Sequence, residues 1–483
     1  MENKKSHVLR NILLVVLALI LVFIISMSLA FDFVGKVKDD SMRYEYVMKD
    51  VFAEKDPRVV DIAMLGAHDA FSSDISFSSE VNKNETGIVT NKLVGFLAKG
   101  FVKRMSKAQN ANAMQLLKSG VRYLDVRITL VDGEYYTAHG LISNTLGYYL
   151  KDVVEFLGTH PGEVIVFDIQ HFQTPTGSSN PEEFSNLFAY MKTVKNSQGK
   201  SIFDYVYYSS GTYQIPLSEL RYSTATNGKT TAGAIVLAKI IGFSSVYARD
   251  GQTLEGYADN SKTIRSLWHE TNSYDELVKG IEKEVLFVKD SDINGVFVVN
   301  QAQLTGFVGG FRLVKSVFKW SIMDMAADSN AKLVQDKDAF MRNIQYLKIF
   351  MVDNATSTKG NFNQLVNEYI LEANKNNPGY WLDGTYKSSG SPLSSVFESY
   401  VQYIFSEDRL TIETCALGPF EITKKCTYTI DGGKISITYY DVDENGFDYT
   451  YSVAESFVLG SEDPDVDYDA IVIGGDVLKK VAG

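Results

Sequence analysis

Two histidines each follow a short segment that has the length of a strand. His68 comes after residues 62–65, and His139 comes after residues 135–138. The carboxylate of Asp69 follows the first histidine directly. Because imidazole gains and loses a proton near neutral pH, two such histidines could act as a general base and a general acid.

A third run, residues 120–129, combines charge with strand periodicity. Its alternation places Tyr123, Asp125 and Arg127 on one face and apolar residues on the other. Charges that point into a protein interior need partners, because burying them unpaired is costly. Two explanations remain open. Asp125 and Arg127 could form a structural ion pair, or Arg127 could bind an anion.

The elements that must position these residues alternate between strands and helices. Further strands are expected at 163–172, 234–241, 295–301 and 347–353, and a weaker candidate lies at 202–208. This alternation indicates a parallel α/β fold, and the count favours a closed (β/α)8 barrel. Such barrels bind their ligands at the carboxyl ends of the strands, which is where both histidines are expected.

The strand at 163–172 carries several polar side chains near its carboxyl end. Asp168 and Gln170 share a face and are candidate substrate contacts. By the same alternation, His171 lies on the opposite face and is expected to be structural.

The amino-terminal segment predicts the compartment. Lys4, Lys5 and Arg10 precede an apolar run over residues 12–31, which is about long enough to cross a bilayer. Because positive charge stays inside, we expect a single-pass membrane anchor with the rest of the chain outside the cytoplasm. The alternative for residues 1–34 is a cleaved signal peptide, which would make the protein secreted.

The pattern of apolar and turn-forming residues changes after residue 379. Residues 383–483 contain short alternating runs separated by glycine-rich turns, a pattern typical of hairpins, so a small antiparallel β domain is expected there. The preceding domain is expected to span 41–380. Cys415 and Cys426 flank one predicted turn and could form a disulfide in an oxidising exterior.

Composition excludes some partners and frameworks. The 483-residue chain has a net charge of -12, which argues against nucleic acid as the main partner. Only two cysteines occur, so neither a disulfide framework nor a structural zinc site holds most of the chain.

Four motifs together resemble the X domain of the phosphatidylinositol-specific phospholipase C family, bacterial metal-independent type. They are Leu65–Asp69, Gly120–Arg127, His139–Gly140 and Glu163–Asp168, in matching order and spacing. The resemblance covers roughly residues 41–376. It implies a distorted TIM-type barrel and cleavage of a phosphatidylinositol-like lipid through a cyclic phosphate.

The resemblance also implies roles for individual residues. His68 would take a proton from a headgroup hydroxyl, and His139, assisted by Asp69, would protonate the departing diacylglycerol oxygen. Arg127 would bind the phosphate, because its planar guanidinium matches two oxygens at once. Asp353 would orient His68, by the logic of a triad carboxylate.

The resemblance further implies chemistry without a metal or other cofactor. Asp125 would support Arg127, and an arginine at that position would repel a divalent cation. The calcium-dependent members of the family place an acidic residue there instead.

Headgroup contacts are less well defined by the sequence. Lys239 lies on a run similar to the strand that carries an inositol-binding arginine in bacterial members, but Ile240 falls at the position of that arginine. Trp268 lies in a segment similar to that of the X-domain-containing proteins. Asp168, Gln170, Lys239 and Trp268 are therefore candidate substrate-binding residues, and the headgroup itself stays open.

One apolar segment, residues 304–325, is interspersed with lysine and arginine. Its Phe307, Phe311 and Trp320 are candidates for contact with a membrane surface, because aromatic side chains favour the headgroup level of a bilayer. Core packing is an equally good explanation of its apolar residues.

The preferred hypothesis is thus an extracytoplasmic phosphodiesterase with a phospholipid substrate. A glycerophosphodiester phosphodiesterase would require acidic metal ligands near the first histidine, which Arg127 disfavours. A non-catalytic surface protein that binds lipid or glycan remains the third possibility.

Overall fold

The structure is a computed structural model of the chain. It describes residues 10–23, 43–49, 51, 57–85, 100, 102–176, 181–206, 217, 234–239, 248–249, 252–253, 257–259, 264–290, 296–305, 321–377, 384–388, 400–406, 409–415, 421–431, 434–442, 448–459, 470–474 and 476–481. The chain divides into two compact units. The first comprises Met1–Lys49, Ala63–Gln214 and Glu219–Asn374, and the second comprises Asp50–Ile62, Ile215–Ser218 and Lys375–Gly483.

A parallel sheet forms the centre of the first unit. Its strands, in spatial order, are β10 (Ile264–Leu267), β11 (Phe297–Gln301), β12 (Ile349–Val352), β1 (Met64–Ala67), β2 (Val121–Val131), β5 (Val164–Gln173), β6 (Ala234–Lys239) and β9 (Tyr257–Asp259). Every neighbouring pair along this path is parallel. A separate ladder joins β7 (Ala248–Arg249) to β8 (Gln252–Thr253).

The predicted closed (β/α)8 barrel is wrong, because the sheet is a half-barrel. Among the described strands, the path begins at β10 and ends at β9 without closing. Closure would make β9 and β10 parallel neighbours, but only residues 260–263 connect them. A parallel connection needs about a dozen residues or more, so these two strands cannot complete the barrel.

Two predicted barrel strands have other roles. Residues 135–138 belong to β3 (Glu134–His139), which pairs antiparallel with β2 and then with β4 (Leu141–Thr145). The weak candidate at 202–208 contains the 3-10 turn Ile202–Asp204. The first unit is therefore a mixed α/β fold rather than a uniform alternation.

Helices cover the apolar face of the sheet. They are α1 (Ala113–Lys118), α2 (Leu146–Thr159), α3 (Pro181–Thr193), α4 (Tyr274–Asp290), α5 (Ile322–Leu333), α6 (Lys337–Tyr346) and α7 (Phe362–Lys375). The core cluster combines strand residues such as Leu124 and Phe167 with helical residues such as Val153 and Phe362. The alternate residues of these strands face the other side of the sheet, where the candidate site lies.

An ion pair between Arg122 and Glu163 is fully buried. Arg122 Nε lies 2.8 Å from Glu163 Oε2, and neither side chain is exposed. The same carboxylate accepts hydrogen bonds from the backbone N–H groups of residues 47–49. Glu163 therefore holds both a buried cation and an amino-terminal segment.

Replacing Glu163 by alanine should lower the free energy of unfolding by about 3–5 kcal/mol, because an uncompensated arginine stays buried. Urea denaturation of the full chain measures this change. Glu282→Ala, on the exposed face of α4, is the matched control and should change stability little. Equal stability of the two variants would contradict the assignment.

The predicted transmembrane helix is contradicted by the structure. No helix within the described ranges is both long and apolar enough to cross a membrane.

The second unit contains a closed antiparallel sheet of eight strands in sequence order. They are β13 (Gly384–Ser388), β14 (Tyr400–Ser406), β15 (Arg409–Cys415), β16 (Glu421–Asp431), β17 (Lys434–Val442), β18 (Asp448–Leu459), β19 (Ala470–Ile473) and β20 (Asp476–Lys480). Strand β20 pairs with β13 and so closes the sheet. Buried residues such as Phe405, Tyr428 and Ile435 form its core.

The predicted disulfide between Cys415 and Cys426 does not form. Cys415 pairs with Glu421, whereas Cys426 pairs with Leu410 on the neighbouring strand. Five residues along β16 correspond to about 17 Å, well beyond the roughly 7 Å that a disulfide can span between Cα atoms.

Candidate active site

Two neighbouring strands deliver the first histidine and its carboxylate to the same place. In the β1–β12 pair, Ala67 lies opposite Val352, so His68 and Asp353 follow as the next residues. The N–H group of His68 donates to the carbonyl of Val352 at 3.0 Å. The side chains meet as well, with His68 Nδ1 2.7 Å from Asp353 Oδ1.

The backbone of β1 permits this close approach and then turns sharply. A Cβ atom at Gly66 would lie 3.1 Å from Met351 and Tyr123 atoms, so a side chain there would push the strands apart. Asp69 adopts a left-handed conformation, with φ 43°. Its N–H group donates to Asp125 Oδ2 at 3.3 Å, and this bond helps to hold a conformation that costs energy for residues other than glycine.

Arg127 lies at the centre of the charged groups. Its Nε atom is 2.5 Å from Asp69 Oδ1, and its Nη2 atom is 3.6 Å from Asp125 Oδ2. The same Nη2 atom is 2.9 Å from His68 Nε2. Asp125 and Arg127 therefore form more than a mutual ion pair, because both also contact the residues that follow β1.

His139 is the last residue of β3 and pairs with Leu141, the first residue of β4. Its Nδ1 atom lies 2.8 Å from Asp69 Oδ2 and 3.0 Å from the carbonyl oxygen of Ser106. Because both neighbours are acceptors, Nδ1 carries a proton. The rings of His68 and His139 are 6.2 Å apart and perpendicular.

The electrostatics raise the pKa of both histidines. In the arrangement shown, Arg127 Nη2 can only donate to His68 Nε2, so that nitrogen carries no proton. Burial alone would lower the pKa of His68, but the carboxylates of Asp69 and Asp353 outweigh it and raise the pKa to about 9. Burial likewise opposes the rise in the pKa of His139, which Asp69 causes. Burial would raise the pKa of Asp69, yet Arg127 and the two histidines hold it below its usual range.

Asp353 should keep the pKa of His68 high. In Asp353→Asn, the loss of a facing carboxylate should lower that pKa from about 9 toward the ordinary value near 6.5. NMR titration of the His68 ring proton, identified by its absence in His68→Gln, measures the midpoint. An unchanged or higher midpoint in Asp353→Asn would show that the carboxylate does not stabilise the imidazolium.

Among the residues that the structure describes, one group of side chains could in principle hold a metal ion. It comprises His68, Asp69 and Asp125, whose ligand atoms lie within 4.8 Å of one another. All three already face the guanidinium of Arg127. A divalent cation would have to displace this arginine, and the donor set therefore fits a metal poorly.

Several supporting residues were not predicted from the sequence. The buried Gln109 donates to the carbonyls of His68 and Val352, and thus ties the ends of β1 and β12 together. Ser72 donates to the carbonyl of Asp69. Asn330 of α5 donates to the carbonyl of Asp353. Each acts through the backbone, and no local sequence pattern distinguishes such residues from ordinary polar ones.

Two candidate substrate contacts form an internal cluster. Asp168 is fully buried, and its Oδ2 atom accepts from the hydroxyl of Tyr123 at 2.5 Å and from the amide of Gln170. Asp125 and Asp168 are direct cross-strand neighbours, so this cluster lies beside the charged site. The partly buried Gln170 is the more accessible of the two predicted contacts.

The remaining predicted substrate and membrane contacts lie partly or wholly outside the residues whose side chains are described. Trp268 is 52% exposed just beyond β10, and its indole N–H donates to Thr305 Oγ1 at 2.8 Å. Lys239 is the last residue of β6, and the structure describes the backbone of this strand. The predicted membrane contacts Phe307, Phe311 and Trp320 lie outside the described residues.

Sequence comparison finds relatives that match about a quarter of the chain, although no family model matches. PI-PLC X domain-containing protein 3 of Danio rerio is 33% identical over 120 residues, which are 24% of this chain and 37% of that protein. PI-PLC X domain-containing protein 2 of Homo sapiens is 32% identical over 116 residues, 23% of this chain and 38% of that protein. The variant-surface-glycoprotein phospholipase C of Trypanosoma brucei brucei is 36% identical over 123 residues, 23% of this chain and 34% of that protein.

The chain thus spans about a third of the length of these curated relatives. Among solved structures, a mutant phosphatidylinositol-specific phospholipase C from Staphylococcus aureus matches with a TM-score of 0.45 and 18% identity. That match covers 69% of this chain and 99% of the other.

Proposed function

We propose that this chain is a phosphodiesterase that cleaves phosphatidylinositol or a related glycolipid. The proposal is supported by its similarity, over about a quarter of its length, to PI-PLC X domain-containing proteins and to a variant-surface-glycoprotein phospholipase C. The segment of relatedness is short, and the proposal therefore depends on the geometry of the site itself.

The observation that carries the proposal is a carboxylate, that of Asp69, that faces an arginine and two histidines at once. Asp69 Oδ1 lies 2.5 Å from Arg127 Nε, and Asp69 Oδ2 lies 2.8 Å from His139 Nδ1. The same Oδ2 atom is 3.7 Å from His68 Nε2. A positioned base, a positioned acid and a cation are the three groups that phosphoryl transfer to a neighbouring hydroxyl requires. A protein that only binds lipid would need the cation but neither the positioned base nor the positioned acid.

In the proposed reaction, His68 reacts in its uncharged form, in which Nε2 accepts from Arg127, and this nitrogen takes the proton of a headgroup hydroxyl. The oxygen of that hydroxyl attacks the phosphorus, and the bond from phosphorus to the glycerol oxygen breaks. Arg127 binds the phosphoryl oxygens, which gain negative charge in the transition state. His139 gives its proton to the departing alkoxide, so the products are a cyclic phosphodiester and an uncharged diacylglycerol.

The proposed chemistry uses no metal. The guanidinium of Arg127 supplies the positive charge and already faces the three potential metal ligands. Activity should therefore survive a calcium chelator. Loss of activity with chelator and its return with calcium would contradict this part of the proposal.

A panel of vesicles tests the proposed function. Vesicles that contain phosphatidylinositol, phosphatidylcholine or phosphatidylglycerol are incubated with the full chain, and the release of diacylglycerol is measured. We expect release from the inositol lipid by the parent protein and almost none by His68→Ala or His139→Ala. If the protein cleaves none of the lipids, or if the parent and both variants cleave them equally, the proposed phosphodiesterase activity is refuted.

An extracytoplasmic location is likewise a proposal. It is supported by residues 1–34, in which lysine and arginine precede an apolar run. A reporter enzyme that folds only in an oxidising compartment, fused after residue 483, should be active in cells. An inactive reporter that is nevertheless fully expressed would contradict this location.

A further inference from the structure

A register shift brings a third histidine to the candidate site. Strand β5 pairs with β2 regularly as far as Ile169, which lies opposite Val126. The register then shifts, and Arg127 pairs with His171. Simple alternation along β5 would place His171 on the face opposite Asp168. The extra residue in β5 reverses that alternation, so His171 shares the face of Arg127.

His171 is the most exposed polar side chain of β5 near Arg127. Asp168 is fully buried and accepts hydrogen bonds from Tyr123 and Gln170. His171, in contrast, is exposed. Neighbouring parallel strands lie about 4.8 Å apart, so a molecule held by Arg127 comes within reach of the imidazole.

The surroundings of His171 favour an uncharged ring. Although the side chain reaches the surface, the surrounding protein partly desolvates the ring, and this desolvation and the positive charge of Arg127 lower its pKa. Asp125, Asp69 and Glu85 oppose the change. A neutral imidazole carries one N–H donor and one nitrogen acceptor. This pair suits a hydroxyl group, which also both donates and accepts, whereas a phosphoryl oxygen can only accept.

We infer that His171 is a specificity-determining residue that hydrogen-bonds a hydroxyl group of the substrate headgroup, next to the phosphate at Arg127. The inference rests on the proposed function, since it identifies a residue that binds the headgroup in that same site. It favours a headgroup with several hydroxyl groups, of which one attacks the phosphorus and another meets His171.

Two soluble probes separate the headgroup from the phosphate. Free myo-inositol presents hydroxyl groups alone, and inorganic phosphate presents the anion alone. Their dissociation constants are measured by NMR, from the shift of the His171 ring proton in the parent protein and from nearby backbone resonances in the variants. The signal of His171 is identified by its absence in His171→Gln.

In His171→Ala, we expect the dissociation constant of myo-inositol to rise about fivefold to tenfold, the effect of one lost hydrogen bond. The constant of phosphate should stay unchanged. His171→Gln should recover part of the affinity, because its amide also donates and accepts. His269→Ala, a histidine packed beside Gly280 of α4, is the control and should match the parent.

Unchanged inositol affinity in His171→Ala would overturn the inference, as would a loss of phosphate affinity alone. Neither measurement requires turnover. If the parent protein cleaves lipid while His171→Ala binds inositol normally, the inference fails and the proposed function stands. If the parent cleaves no lipid at all, the proposed function fails independently.

Discussion

Replacing His68 by alanine is expected to lower kcat/KM for phosphatidylinositol by about 10⁴-fold, at the upper end of what one positioned base contributes. His68 is the histidine whose Nδ1 is held by Asp353 and whose Nε2 faces Arg127. Without it, the attacking hydroxyl has no acceptor for its proton. The loss should be equally large for a soluble nitrophenyl phosphodiester of inositol, because both substrates need the same base.

His139→Ala provides the informative contrast to His68→Ala. Nitrophenolate leaves without a proton, so His139→Ala should retain most activity on the nitrophenyl substrate while losing that on the lipid. His269→Ala is the control for replacing a histidine elsewhere in the first unit. If His68→Ala kept full activity on both substrates, or if His139→Ala lost both equally, the assignment of base and acid would be wrong.

Replacing Arg127 by lysine is expected to lower kcat by about 10²–10³-fold, the usual effect of removing one donor to a developing oxyanion. The guanidinium contacts Asp69, Asp125 and His68 at once through a planar fork. An ammonium keeps the charge but cannot reproduce three directed contacts. The effect should appear in kcat more than in KM, since the phosphoryl oxygens gain charge in the transition state.

Arg265→Lys is the matched control for Arg127→Lys. Arg265 also pairs with a carboxylate, Glu284, but on β10 and α4 rather than beside the two histidines. This variant should retain the kcat of the parent. A kcat for Arg127→Lys within about threefold of the parent would exclude a directed role of the guanidinium in the transition state.

The sequence predicted the strands that end at the site because the signals are local. An apolar run followed by His68 indicates a buried strand with a polar residue at its carboxyl end, and alternation places Asp125 beside Arg127 in β2. Whether Asp353 meets His68 depends on strand pairing. The resemblance to the family supplied that pairing, and the register of β1 with β12 brings the two side chains together.

The errors arose where structure depends on distant parts of the chain. Counting strands did not reveal that β3 is antiparallel or that residues 260–263 are too few for a parallel connection. The face of His171 was predicted incorrectly because a register shift leaves no mark in the alternation of a single strand. Gln109 was missed because it acts on backbone carbonyls that only folding brings together.

The most direct test of the central claim is phosphorus NMR during the cleavage of phosphatidylinositol by the full chain. Attack by a neighbouring hydroxyl predicts that the resonance of a five-membered cyclic phosphodiester appears before any phosphate monoester, and that His68→Ala does not produce it. A phosphate monoester as the first product, or no consumption of the lipid, would contradict the account.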